Sequence, residues 1–142
     1  MRNFFPQTGR MALLFLTGGI GYFCLELAWR GWSHPAMVAV GGLCFLGVGA
    51  INEVLPWDMP IEFQALLGAA IITGVELMSG IILNIELQLN IWSYANMRGN
   101  IMGQICPQYV ALWYLLAYPV IWLDDFVRWQ ACDEEKPKYR WK

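Results

Sequence analysis

The sequence predicts an all-α integral membrane protein, a four-helix transmembrane bundle with both termini on the cytoplasmic side (N-in/C-in). Of the 142 residues, 58% are hydrophobic and only 14% are charged, a balance too apolar for an ordinary soluble domain. Residues 63–85 contain one charged side chain, and residues 101–123 contain none. As helices that rise about 1.5 Å per residue, both stretches are long enough to cross a hydrocarbon core of about 30 Å.

The length fits one transmembrane domain, residues 1–130, followed by a charged cytoplasmic tail at 131–142. We predict four spans, at about residues 11–29, 35–52, 63–85 and 101–123. The first apolar run follows Arg2 and Arg10, as in a signal peptide, but no small-x-small cleavage site comes after it. We therefore expect an uncleaved first span. Pro35 is well placed to begin the second span.

The third span carries Glu76 close to its middle. Projected at about 100° per residue, Glu76 shares one arc with small and polar residues, namely Ala65, Ala69, Thr73, Gly80 and Asn84. A carboxylate in the middle of a membrane is costly unless it is paired, hydrated or protonated, so Glu76 is a candidate functional residue. A purely structural hydrogen bond to a neighbouring helix explains it equally well.

The segment between the third and fourth spans is polar, with Glu86, Arg98 and three asparagines. Such a segment does not lie in lipid, so it forms an interfacial loop or short helix, or folds back into a protein-lined cavity. The conformation of residues 88–100 stays open. In the fourth span, Pro107 either kinks the helix or marks its start.

Basic residues set the predicted orientation. With N-in/C-in topology seven of the nine Lys and Arg residues are cytoplasmic, and only Arg30 and Arg98 are outside, which agrees with the positive-inside rule. The outer face then gathers Glu26, Arg30, His34, Glu86 and Arg98, and the cytoplasmic face gathers Glu53, Asp58, Asp124 and Asp125. Acids on both sides of Glu76 would suit a proton or cation path. For the residues at helix ends, simple exposure to water is the favoured explanation.

Other classes of function find little support. The four cysteines have no CxxC or Cys/His spacing and there is one histidine, so we expect no disulfide framework and no metal site. No basic stripe or nucleic-acid motif is present, and nucleic acid is not an expected partner. HExxH and GxSxG are absent, so we expect no enzyme and no cofactor.

Several short motifs occur in an order that resembles a known family. They are RGWSH at 30–34, INE at 51–53, LPWD at 55–58, Glu76 followed by SG at 79–80, GQI at 103–105 and LDD at 123–125. Together they resemble the bacterial membrane family named Putative ABC-transporter type IV, also called CmpB-like. The resemblance covers nearly the whole chain, from about residue 10 to 130.

The resemblance implies a small permease-like subunit in the bacterial cytoplasmic (inner) membrane, crossing it several times. The chain has no GxxxxGK[ST] loop, so the ATPase would be a separate subunit, for which the turn at residues 56–60 is a plausible docking point. Four spans make a small permease, so a homo- or hetero-oligomer is expected. A non-transporting scaffold or regulator and a holin-like pore former remain as alternatives, and the substrate is not indicated.

Overall fold

A computed structural model describes residues 7–55 and 59–131 of the chain. Within them the regular secondary structure is helical, and no β-strand is formed; Ile101 and Ile105 make an isolated bridge. The four α-helices are α1 (Gln7–Arg30), α2 (Ala36–Val54), α3 (Ile61–Gly80) and α4 (Pro107–Ala131), and a π-helix at Ile81–Glu86 continues α3.

Three of the helical segments are long and apolar enough to cross a membrane: Thr8–Arg30, Ile61–Glu86 and Pro107–Ala131. The apolar part of α2, Ala36–Ile51, is shorter. Large apolar side chains cover much of the outside of these helices, for example Leu16, Ile20, Leu66, Met78 and Leu115. Such a surface is stable in lipid, whose tails are as apolar as the side chains. The prediction of an all-helical fold with helices able to cross a membrane is thus confirmed.

Glycines bring α1 and α2 into close contact. A Cβ atom added at Gly18 would collide with Phe45, and one added at Gly41 would collide with Tyr22. The added Cβ of either glycine would also lie 3.1 Å from the other's carbonyl oxygen. Small residues at these positions let the two backbones approach, which is how helices gain packing energy in a membrane that supplies no hydrophobic driving force between them.

Helix α3 packs against both α2 and α4, and successive helices run in opposite directions. Arg30, at the end of α1, donates to the backbone carbonyl of Ile91 at 3.0 Å, so this end of α1 lies beside the segment that follows the π-helix. At the opposite end of the bundle, Gly49 of α2 packs directly against the Asp124 carboxylate of α4. We call these the loop end and the Asp124 end.

The fourth helix differs from the predicted span 101–123, because it begins at Pro107 and continues well beyond residue 123. Upstream, Met102 and Gly103 have φ angles of 57° and 71°, a left-handed conformation that interrupts a helix. Pro107 then takes the first helical position, where its missing N–H needs no partner. Downstream, Asp124 is buried against protein, so its charge does not bring the helix to an end at a water interface.

Residues 87–106 fold back onto the bundle as an irregular loop, which settles the open conformation of 88–100. Asn84 in the π-helix anchors it twice, since Asn84 accepts from the Ile91 N–H at 2.7 Å and donates to Gln104 Oε1 at 2.8 Å. The Trp92 indole donates to the Gln104 carbonyl at 3.1 Å. Ile91 is only 2% exposed. Residues 103–106 are buried as well, whereas most of the residues between them and Ile91 are exposed. Irregular backbone is tolerated within the hydrocarbon region only where protein covers it.

The α1–α2 contact yields a test. We expect Gly18→Ala to lower the free energy of unfolding by about 1–3 kcal/mol, because the new methyl group overpacks the contact with Phe45. Gly21→Ala is the matched control on the same helix, where an added Cβ meets nothing within 4 Å. It should be neutral or stabilising by about 0.5–1 kcal/mol, since alanine favours the helix. SDS titration in mixed micelles measures both, and equal effects would contradict the described contact.

Candidate functional site

Glu76 lies on α3 with its side chain turned into the protein, and the residue is 8% exposed. Each carboxylate oxygen accepts one hydrogen bond from a different part of the chain. The Tyr94 hydroxyl of the loop donates to Oε1 at 2.7 Å, and the Trp113 indole N–H of α4 donates to Oε2 at 2.8 Å. Glu76 therefore joins α3, α4 and the loop at one point.

Aromatic rings hold the two donors in place. Tyr94 stacks on Tyr109 of α4, with ring centroids 4.6 Å apart and planes at 23°. Tyr109 in turn lies 5.8 Å from Trp113, and Tyr22 of α1 reaches the other side of Trp113 at 6.4 Å. Three elements thus contribute to a continuous row of four rings beside the carboxylate.

The loop brings Tyr94 to this depth through its own hydrogen bonds. The Tyr94 N–H donates to the Gly103 carbonyl at 2.7 Å, which closes the loop upon itself. Burial, and after it the nearby Glu76 carboxylate, raises the pKa of the Tyr94 hydroxyl. The phenol therefore keeps its proton at neutral pH and acts as a donor.

A cleft of about 540 Å³ lies between α1 and α4, with Glu76 in its wall. Helix α1 packs along α2 and contacts α4 at most sparsely, so the cleft opens between α1 and α4. Its volume is typical of a site for a small molecule. The charged side chains among its described lining residues are Glu26, Arg30 and Glu76; most of the other lining residues are apolar or aromatic.

The predicted outer-face cluster is only partly assembled, at the loop end. Glu26 and Arg30 form an ion pair at 3.1 Å, and the Ser33 hydroxyl donates to the same Glu26 oxygen at 2.5 Å. His34 is occupied differently, because its Nδ1 accepts the Ala36 N–H at 3.0 Å at the start of α2. The other two members of the predicted cluster, Glu86 and Arg98, are exposed and do not join these contacts.

Part of the predicted cytoplasmic-face cluster is buried at the Asp124 end. Asp124 is fully buried and accepts from Arg128 Nε at 2.8 Å, while Asp125 is 4% exposed. The Glu53 side chain and the whole of Asp58 lie outside the described residues. Among the residues that are described, no group of three or more His, Cys, Asp or Glu side chains is arranged to hold a metal ion.

Tyr94 and Trp113 were not identified from the sequence as partners of Glu76. The spacing of Trp113 on α4 resembles that of any aromatic residue in a membrane helix, and Tyr94 belongs to a segment without periodicity. Asn84 did fall on the predicted polar arc of the third span. The Asn84 amide binds the loop that places Tyr94 beside Glu76.

Removing one donor should loosen this site. We expect Tyr94→Phe to lower the free energy of unfolding by about 0.5–2 kcal/mol, because one Glu76 oxygen loses its partner in a buried setting. Tyr109→Phe is the matched control. Within the described part of the chain the Tyr109 hydroxyl makes no hydrogen bond, and the Tyr109 ring belongs to the same stacked pair as the Tyr94 ring. SDS titration compares the two variants, and indistinguishable values would refute the Tyr94–Glu76 bond.

The chain was also compared with known proteins and protein families. Searches of curated proteins and of solved structures gave no match. The family model described as Putative ABC-transporter type IV matches residues 12–137, which includes all four helices from the second turn of α1 onward and the loop that carries Tyr94. The chain therefore belongs to the Putative ABC-transporter type IV family.

Proposed function

We propose that this protein is a permease-like membrane subunit of an ABC-type transport system that works with a separate ATPase. The family and the membrane-spanning helices support a transport-related membrane protein. The observation that carries the proposal further is Glu76, a buried carboxylate in the wall of a cleft of small-molecule size. Ionisable groups inside a membrane domain commonly mark the path of a substrate or ion.

The hydrogen bonds of Glu76 leave it able to bind something more. A carboxylate has about four acceptor positions, and Tyr94 and Trp113 donate to one on each oxygen. The donors fix the orientation of the group, and the remaining lone pairs are available to a solute in the cleft. Fixed orientation and spare acceptor capacity are what a binding carboxylate requires.

The size of the chain supports assembly with other subunits. The cleft is bounded by α1 and α4, which contact each other only sparsely, so one chain leaves a side of it open to lipid. A second copy or a partner subunit would close it. The chain contains no GxxxxGK[ST] phosphate loop, and ATP hydrolysis by that chemistry is therefore assigned to another polypeptide.

A non-transporting scaffold is the second candidate, and one observation favours it. Glu76 ties α4 and the loop to α3 through both of its oxygens. A carboxylate used in this way holds a bundle together even if nothing else ever binds it. A scaffold would recruit partners without moving a solute.

Affinity purification of the tagged protein from native membranes in mild detergent, followed by mass spectrometry, tests the proposal. We expect an ATPase at stoichiometric amounts, because the family function requires one and this chain has no phosphate loop. An unrelated tagged membrane protein from the same strain is the control. Recovery of the protein alone, as a defined oligomer, would contradict the ABC assignment.

The same preparation separates a permease from a scaffold through Glu76→Gln. In a permease this variant should still recruit the ATPase, while the cells carry the solute profile of the deletion strain in untargeted metabolomics of cells and medium. Glu86→Gln, an exposed carboxylate at the end of the π-helix, is the matched control. A wild-type profile for Glu76→Gln would favour the scaffold.

We also propose the N-in/C-in orientation in the bacterial cytoplasmic membrane, supported by the seven-to-two distribution of basic residues. In a background without native cysteines, a membrane-impermeant maleimide should label Arg98→Cys in intact cells, because this loop position is exposed. Lys142→Cys, as the control, should be labelled only after permeabilisation. The reverse pattern would overturn the orientation.

A further inference from the structure

The charges of the α1–α4 cleft do not balance. Arg30 is the one basic side chain among the described lining residues, and it is already engaged. Its guanidinium pairs with Glu26 at 3.1 Å and donates to the Ile91 carbonyl at 3.0 Å. Glu76 is bound by two neutral donors, an indole and a phenol. When Glu76 is ionised, the cleft carries one carboxylate charge that no cation among the described lining residues balances.

Four aromatic residues line the cleft together with this carboxylate. Tyr22, Tyr94, Tyr109 and Trp113 all line the cleft, and they form the continuous row described above. Ring faces carry partial negative charge and attract organic cations, and the attraction grows when water is excluded. Farther along, the wall is apolar, with residues such as Leu116 and Val120.

We propose that the cleft binds a hydrophobic organic cation, with the cationic centre at Glu76 among the aromatic rings and the apolar body against α1 and α4. The idea that such a cation is the transported substrate rests on the proposed function. Binding of the cation to the cleft does not, because it needs no ATPase. The cleft volume of about 540 Å³ suits a drug-sized molecule.

Other ligand chemistries fit the cleft less well. An organic anion would meet an uncompensated carboxylate in a medium of low dielectric, where like charges repel strongly. A divalent metal ion requires six or more oxygen ligands for Ca²⁺ or an octahedral set for Mg²⁺, and the described residues hold no such acidic group here. A neutral acyl chain would fill the apolar wall without using Glu76, and the experiment distinguishes it.

The test compares two ions of the same shape and opposite charge, tetraphenylphosphonium and tetraphenylborate. Calorimetric titration of the purified full chain in detergent, corrected with protein-free micelles, should show tetraphenylphosphonium binding at least about tenfold more tightly, as expected for a contact with a charged group. Glu76→Gln should weaken tetraphenylphosphonium binding by about tenfold or more, with no loss for tetraphenylborate. Glu86→Gln should bind like the wild type.

A second variant keeps the test valid if Glu76→Gln misfolds. Gly21 lines the cleft, and an added Cβ there meets nothing within 4 Å, so Gly21→Leu adds apolar volume at the cleft from an open position. It should reduce tetraphenylphosphonium affinity while the protein remains folded. Gly74→Leu is the matched control, because Gly74 is equally open but lies outside the cleft lining.

Three outcomes would overturn the inference. The first is that the wild type binds the two ions equally or does not bind the phosphonium. The second and third are that folded Glu76→Gln, or folded Gly21→Leu, binds the phosphonium with unchanged affinity. Equal affinity for the two ions would point to an apolar site for lipid chains. Failure of the proposed ABC function would appear separately, as absence of an ATPase from the purified complex while phosphonium binding persists.

Discussion

The structure depends on one carboxyl group that accepts hydrogen bonds from two directions. An isolated carboxylate in hydrocarbon would be strongly destabilising, and Glu76 avoids this because Tyr94 and Trp113 each donate to one of its oxygens. Those donors come from the loop and from α4, so satisfying the carboxyl group also fixes where both elements lie on α3. The polar group thus specifies the packing of the very elements that shield it from lipid.

The same constraint explains why a polar loop lies against an apolar bundle. Residues 87–106 contain too many polar groups for lipid, and their hydrogen bonds are satisfied mainly inside the protein. The Asn84 amide, which lies within the π-helix, binds the loop at Ile91 and Gln104. Gly80 permits this approach, because any Cβ there would collide with the Gln104 side chain. The loop consequently packs against the bundle through buried residues such as Ile91 and Gln104, and it contributes Trp92 and Tyr94 to the wall of the cleft.

The sequence alone predicts the parts of this arrangement that follow from hydropathy and helical periodicity. Long uncharged stretches predicted the spans, and the arc of small and polar residues predicted that Glu76 faces protein. Helical periodicity could not predict the contact between Tyr94 and Glu76, because Tyr94 lies in an irregular loop. The backbone of this loop has positive φ angles at residues such as Gln88, Asn90 and Met102. The predicted span ends before Asp124, whereas α4 continues past it, because Asp124 is buried against Gly49 and paired with Arg128. Contacts between distant segments decide such positions, and one sequence does not display them.

A structural and a ligand-binding role for Glu76 are compatible, and the geometry explains how. Two neutral donors orient the carboxyl group without neutralising its charge, whereas an arginine in place of either would have done both. Glu26 illustrates the contrast at the loop end, where Arg30 compensates its charge and Ser33 occupies the same oxygen. Of the two acids that line the cleft, Glu26 is thus balanced by Arg30, whereas the charge of Glu76, when present, is left for the proposed ligand. An aromatic, apolar cleft around the second acid selects that partner by hydrophobicity as well as by sign.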